Sequence, residues 1–240
     1  MLRQEVAAFY SRRYSAVLDP ATEIVVCSSG QEALCSTLLS LLDPGDEVII
    51  FEPFYPFLLG ALQLAGAVPR VVRLEAPDFG VNAAAVAAAV TSKTRMLVHN
   101  SPHNPTGHVS SAAELEALAA VCCQHNLLAL SDEVYENAVF PPGQHRRLAD
   151  EKGMKCRTIT ISSAGKLLSL TGWRVAWASG PARLLSAVNF AHTHMSYCAP
   201  TPLQQGVAAA LREEDGTFGG VAELFAGPVS FIARRYPRMF

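Results

Sequence analysis

Lys166 closes the run Ser162-Ser163-Ala164-Gly165-Lys166, directly after a β-rich stretch at 158–162. A lysine leaving a strand end inside a domain is an unusual place for a solvated charge. Burial lowers the pKa of a lysine, and the neutral amine is a nucleophile that forms an imine with an aldehyde. A single lysine is far more often a surface charge, so the other polar strand ends must be weighed with it. The apolar run at 127–131 ends in Asp132-Glu133-Val134-Tyr135, and a carboxylate there is costly unless paired. Period-two alternation turns Glu133 away from Asp132. In Ser101-Pro102-His103-Asn104-Pro105-Thr106-Gly107, two prolines and a glycine make a rigid turn that fixes the Asn104 amide. Ser28-Ser29-Gly30-Gln31 reads as a small-residue turn into a helix, whose free N–H groups suit a phosphate; a capping serine with no ligand accounts for it equally well. Phe51-Glu52-Pro53-Phe54-Tyr55-Pro56 brings an aromatic to a strand end, where it is more often core. Together, five strand ends carry groups that suit one planar, phosphorylated, cationic heterocycle.

The elements that must position these groups are short β-rich runs at 24–27, 48–51, 68–74, 96–100, 127–131, 158–162 and 175–178. Several are apolar almost throughout, as expected of strands covered on both faces. Helical patterns lie between them at 31–42, 57–65, 111–126 and 182–194, with an amphipathic helix at 1–14 and an alanine-rich surface helix at 83–90 that carries no function. Ser110-Ser111 with Glu114 offers an N-cap. The alternation predicts an α/β sandwich with a mostly parallel sheet, and in such sheets ligands sit beyond the carboxyl ends of the strands.

Residues 162–177, Ser-Ser-Ala-Gly-Lys-Leu-Leu-Ser-Leu-Thr-Gly-Trp-Arg-Val-Ala-Trp, resemble the Schiff-base signature of fold-type I pyridoxal-phosphate (PLP) aminotransferases of class I/II. The resemblance implies that Lys166 carries PLP and that Ser163 and Arg174 hold its phosphate. It implies that Asn104 and Tyr135 bond the phenolic oxygen, that Asp132 pairs with the pyridine nitrogen, and that Tyr55 stacks on the ring while Phe54 is core. Phosphate binding by Ser29, Gly30 and Gln31 is expected, although the glycine is displaced by one position from the usual order. The motifs follow the family's order and span roughly residues 3–212. They look most like the kynurenine, glutamine and methionine aminotransferase group. That group places residues such as Tyr197 and His192 near a dimer interface.

The implied fold is a three-layer α/β sandwich, the large domain at 1–212, with the small domain largely missing. Residues 213–240 are then a divergent tail, either disordered or a remnant of that small domain. The implied activity moves an amino group from an amino acid to a 2-oxo acid in a cytoplasmic homodimer. A PLP-dependent C–S β-lyase, or an inactive PLP-binding remnant, remain alternatives. By the resemblance the chain appears truncated at both ends, and none of Arg234, Arg235 or Arg238 lies in a recognisable carboxylate-binding motif. PLP binding with little or no turnover is therefore expected.

Composition agrees with a small-metabolite enzyme. The 240 residues are half hydrophobic and 17 % charged, with a formal net charge of -2, which gives no reason to expect a nucleic-acid partner. No apolar run is long enough to span a membrane, and the start, with Arg3, Glu5, Arg12 and Arg13, is not a signal peptide. The six cysteines match no zinc spacing and are expected as free thiols in a reducing compartment.

Overall fold

The computed structural model describes residues 1–213. A seven-stranded sheet runs in the order β1 (Ile24–Cys27), β7 (Ala176–Ser179), β6 (Thr158–Ser163), β5 (Leu128–Asp132), β4 (Thr94–Asn100), β2 (Glu47–Glu52) and β3 (Val68–Arg73). Pairs among β2, β3, β4, β5 and β6 are parallel, and β7 is antiparallel to both of its neighbours. The sheet is thus mixed and mostly parallel, as expected.

Strand composition follows from burial on both faces. In β2, Val48 and Ile50 face one core, which includes α2 (Gly30–Leu41), α3 (Phe57–Leu64) and α7 (Ala182–Met195). Ile49 and Phe51 face the other, under α4 (Ala83–Ala89) and α5 (Ala112–Gln124). A strand serving two cores has no polar face to alternate with. The edge strand β3 instead carries Pro69, Arg70 and Arg73 and is mostly exposed, a composition that discourages pairing with another sheet. A third core lies under α1 (Leu2–Tyr14) and α8 (Thr201–Glu213), where Trp177 donates from Nε1 to the Tyr10 hydroxyl at 3.0 Å.

Helix starts follow the capping residues. Ser111 Oγ accepts from Glu114 N–H, and the Glu114 carboxylate accepts from Ser111 N–H at 2.8 Å. The alanine-rich segment forms α4, but its Val86 is fully buried, so this helix contributes to the core. The sequence pattern predicts no helix at 201–213. α8 nevertheless forms, burying Val207, Ala208 and Leu211 against α1. It runs through the expected boundary at 212, and residues 214–240 lie outside the described residues, so the expected tail does too. All six cysteines are free. No described helix is long and apolar enough to cross a membrane.

Candidate active site

The topology explains why the polar strand ends meet. β2, β4, β5 and β6 run parallel, so the residues that follow them leave at one edge of the sheet. β7 is antiparallel to β6, so Arg174, which precedes it, emerges at that same edge. The end of β1 arrives there too, with Cys27 opposite Ala176. The result is a cavity of about 290 Å³. Ser29, Gly30, Gln31, Tyr55, Asn104, Asp132, Tyr135, Ser163, Lys166 and Arg174 all line it.

Each side chain is held by local structure. Ser29 caps α2, its Oγ accepting from Glu32 N–H at 3.1 Å, so this hydroxyl is already engaged. Gln31 Oε1 is buried with no partner among the described residues. Ser163 caps the short helix α6 (Ala164–Leu167), its Oγ accepting from Gly165 N–H at 3.2 Å. A Cβ added at Gly165 would meet Thr171 Cα at 3.2 Å, so glycine lets the returning chain close on the site. That return runs through a 3-10 turn at Thr171–Trp173 into Arg174, which adopts a left-handed backbone with φ 54° and ψ 50°. Such strain in a non-glycine residue costs about 1–3 kcal/mol and clusters at functional sites.

Asp132 carries the clearest electrostatic signature. Its carboxyl is pushed up to about 6, chiefly by burial and further by the charge of Glu133, against one opposing bond from Val134 N–H at 3.3 Å. Glu133 faces the other side of the strand, as alternation required. It accepts from Ser131 Oγ at 2.8 Å and lies 3.0 Å from His145 Nε2. Burial would raise its carboxyl, but His145 and Arg147 hold it below the ordinary range. Two acids adjacent in sequence are thus driven in opposite directions, and the one facing the cavity has no cationic partner among the described residues. Burial also raises the Tyr135 phenol, and the charge of Asp132 adds to the effect.

One expectation is corrected. Lys166 is exposed to the cavity mouth rather than buried, because α6 lifts it off the strand end, with Nζ 5.6 Å from the Tyr135 ring centroid. His192 packs inside the chain. It is 4 % exposed, with Nδ1 3.0 Å from a Glu32 carboxylate oxygen, and joins α7 to the start of α2. Tyr197 is largely exposed.

Sequence reasoning assigned no role to Asn100, which also lines the cavity. Its Nδ2 donates to the carbonyl of Asp132 at 2.9 Å, and its Oδ1 accepts from Asn104 N–H at 2.7 Å. One side chain therefore sets the spacing of two cavity residues. The available signal was an amide at the end of an apolar strand, where an unpaired polar group is costly. Asn100→Ala is expected to weaken ligand binding in the cavity by roughly tenfold, since each lost bond is worth about 0.5–1.5 kcal/mol. Fluorescence titration with PLP checks this.

Residues 1–222 match the family described as aminotransferase class I and II. The chain belongs to this aminotransferase family. Its members use pyridoxal phosphate. Among similar proteins, the probable N-succinyldiaminopimelate aminotransferase DapC of Mycobacterium tuberculosis is 45 % identical over 217 residues, covering 89 % of this chain and 54 % of the relative. The kynurenine–oxoglutarate transaminase of Dictyostelium discoideum is 37 % identical, covering 88 % of this chain and 53 % of the relative. The solved N-succinyldiaminopimelate aminotransferase of M. tuberculosis superposes with a TM-score of 0.94 at 41 % identity, over 97 % of this chain and 61 % of that one. The chain thus spans about half the length of the curated aminotransferases it matches. The residues present fit the cofactor. The cavity offers a primary amine, a hydroxyl, a guanidinium and a carboxyl with no cationic partner among the described residues at one mouth.

Proposed function

We propose that this chain binds pyridoxal phosphate and carries the cofactor-handling half of a transamination between an amino acid and a 2-oxo acid. The observation that carries this reading is the convergence of Lys166, Asp132, Asn104, Tyr135, Ser163 and Arg174 on one cavity. Pyridoxal phosphate supplies an electron-accepting ring that makes the α-proton of an attached amino acid acidic. Lys166 would be the amine that holds the cofactor and, when its amine is free, the general base for the α-proton. Asp132 keeps the ring nitrogen protonated, and that charge in turn relieves its own carboxyl. Asn104 and Tyr135 bond the ring oxygen, and Tyr55 covers the ring face. The start of α2 at Ser29, Gly30 and Gln31, with Ser163 and Arg174, holds the phosphate through N–H groups, a hydroxyl and a guanidinium fork.

The same reading takes residues 1–212 as the PLP-binding unit, supported by the packing of α8 against α1. It takes the enzyme as a cytoplasmic homodimer. The six free thiols support the compartment, and the exposed Phe190, Met195 and Tyr197 around the end of α7 support the dimer. Identity to the M. tuberculosis relative makes N-succinyl-diaminopimelate the first donor to test, ahead of kynurenine, glutamine and methionine.

The test is spectroscopic. Purified chain mixed with PLP should develop the absorbance of protein-bound cofactor, and a donor should shift it toward the aminated form. Multiple turnover is expected to stay below the usual enzyme range of roughly 1–10³ s⁻¹, since no described residue has been placed on the substrate carboxylate. Absence of bound-cofactor absorbance at saturating PLP refutes the reading. Turnover within that range would show that an arginine of this chain grips the carboxylate.

A further inference from the structure

Glu136 follows Tyr135 in the loop after β5, yet it is 1 % exposed and lies outside the cavity lining. A buried carboxylate is costly unless its oxygens are satisfied. Here each oxygen accepts from one hydroxyl. Ser162 Oγ donates to Oε1 at 2.5 Å, and the Tyr14 hydroxyl donates to Oε2 at 2.7 Å. Both bonds cross between elements, since Ser162 belongs to β6 and Tyr14 ends α1. We propose that Glu136 is a positioning residue, which ties the Tyr135 turn to β6 and α1 and so sets the Tyr135 phenol against Lys166 and the ring oxygen of the cofactor. This inference rests on the cofactor reading proposed above.

The main chain makes the lever short. Tyr135 sits in a tight turn, where Glu136 N–H donates to the Glu133 carbonyl at 2.9 Å and Ala138 N–H donates to the Tyr135 carbonyl at 2.7 Å. A shift of Glu136 therefore shifts Tyr135. The other end of the tie is fixed, because Ser162 lies in β6, which is held between β5 and β7. The same strand leads into Ser163 and Lys166, and Lys166 Nζ stands 5.6 Å from the Tyr135 ring centroid. One carboxylate thus joins the segment that carries the phenol to the segment that carries the amine.

The chemistry of both residues fits these roles. A leucine would fill the Glu136 site without desolvating a charge; what the carboxylate adds is two directed bonds from two elements. Burial opposes the charge of the neighbouring Arg147 guanidinium, but Glu133 and, more weakly, Glu136 favour it, so the acid is electrostatically balanced. Tyr135 must keep its proton to donate it. Burial raises its phenol above the ordinary range, and Asp132 and Tyr55, which also face it, add to the effect. The phenol therefore stays a donor, and its usefulness depends on where the turn aims it.

The experiment is a pH titration of the absorbance of the PLP-loaded chain. A donor to the ring oxygen draws charge off it and weakens its hold on the proton shared with the Lys166 nitrogen, so losing the donor raises the midpoint. Tyr135→Phe should raise it by roughly one to two pH units, the loss of one hydrogen bond to a charged group. Glu136→Ala should raise it by about half as much, since the phenol remains but loses its aim. In the Tyr135→Phe background Glu136→Ala should shift it no further, because two changes on one path do not add. Glu136→Gln, which can pair with both hydroxyls, should restore the parent midpoint. If Glu136→Ala does not fold, Ser162→Ala and Tyr14→Phe, each cutting one bond, decide by the same cycle, with circular dichroism confirming their fold. An unshifted midpoint in the folded variants overturns this inference alone, as does an additive shift in the double variant. A shift in Glu136→Gln as large as in Glu136→Ala also overturns it, because charge and not the two bonds would then act. A parent chain without bound-cofactor absorbance refutes the cofactor reading, and this inference with it.

Discussion

Lys166→Ala should abolish covalent capture of the cofactor. With the parent chain, borohydride reduction after PLP loading leaves a pyridoxyl group on the peptide containing Lys166; with the variant, mass spectrometry should find none. The amino-acid half-reaction should fall by about 10²–10⁴-fold, the range for a positioned general base. Folding should be nearly unaffected, because the side chain is exposed and substitutions of that kind usually change stability by about 0.5 kcal/mol or less. Noncovalent retention of PLP should survive in part, since Asp132, Asn104, Ser163 and Arg174 remain in the cavity. The control lies elsewhere in the chain. Lys152 and Lys155 sit near the start of β6, away from the strand ends that form the cavity. Label on either of them, with none on Lys166, would sink the assignment.

Most of this geometry was legible because each motif sits where chain direction forces it. Short β-rich runs of four to seven residues located all seven strands, and burial on both faces explains why central ones such as β2 do not alternate. Once those strands run parallel, Asn104, Asp132 and Lys166 have one edge to share. Arg174 is the instructive case. It precedes its strand instead of following it, so a rule about carboxyl ends alone would miss it; the antiparallel β7 brings it in. What was not legible depends on tertiary contact. Lys166 looked buried because its neighbours are small and apolar, yet four residues of helix carry it to the cavity mouth. The partner of His192 has no sequence sign, and only the packing of α7 on α2 shows it meeting Glu32. α8 has its apolar residues at Val207, Ala208 and Leu211, a stripe that becomes meaningful only once α1 is seen to cover it. Asn100 shows only an amide at the end of an apolar strand, and its partners, the Asp132 carbonyl and the Asn104 N–H, appear only in the fold.

Asp132→Asn should have opposite effects on the cofactor-free and the loaded protein. In the cofactor-free chain the Asp132 carboxyl titrates at about 6, raised mainly by burial, against about 3.9 in an unfolded chain. A raised folded pKa means that the native state binds the proton more tightly. The stabilisation this gives is present at low pH and is lost as pH rises through the window from about 4 to about 6. Above that window the ionised carboxyl is a burden of roughly 3 kcal/mol at most, less whatever screening its contact with the cavity allows. Asparagine removes the charge and can keep the bond from Val134 N–H. The variant should therefore melt higher than the parent near pH 8 without PLP, and the gap should close near pH 4. Adding PLP should reverse the order near pH 8. The parent carboxylate then gains a cationic ring nitrogen, a charge-assisted bond worth about 1.5–3 kcal/mol that asparagine cannot make. The half-reaction should also fall severely, because the ring nitrogen no longer holds its proton and the electron sink depends on that charge. Thermal melts at the two pH values, with and without PLP, read all four states. A variant that melts like the parent without PLP and reacts like it with PLP would move the ring-nitrogen role to another acid. Glu133 would be the first suspect, despite its bond to His145 on the far side of the strand.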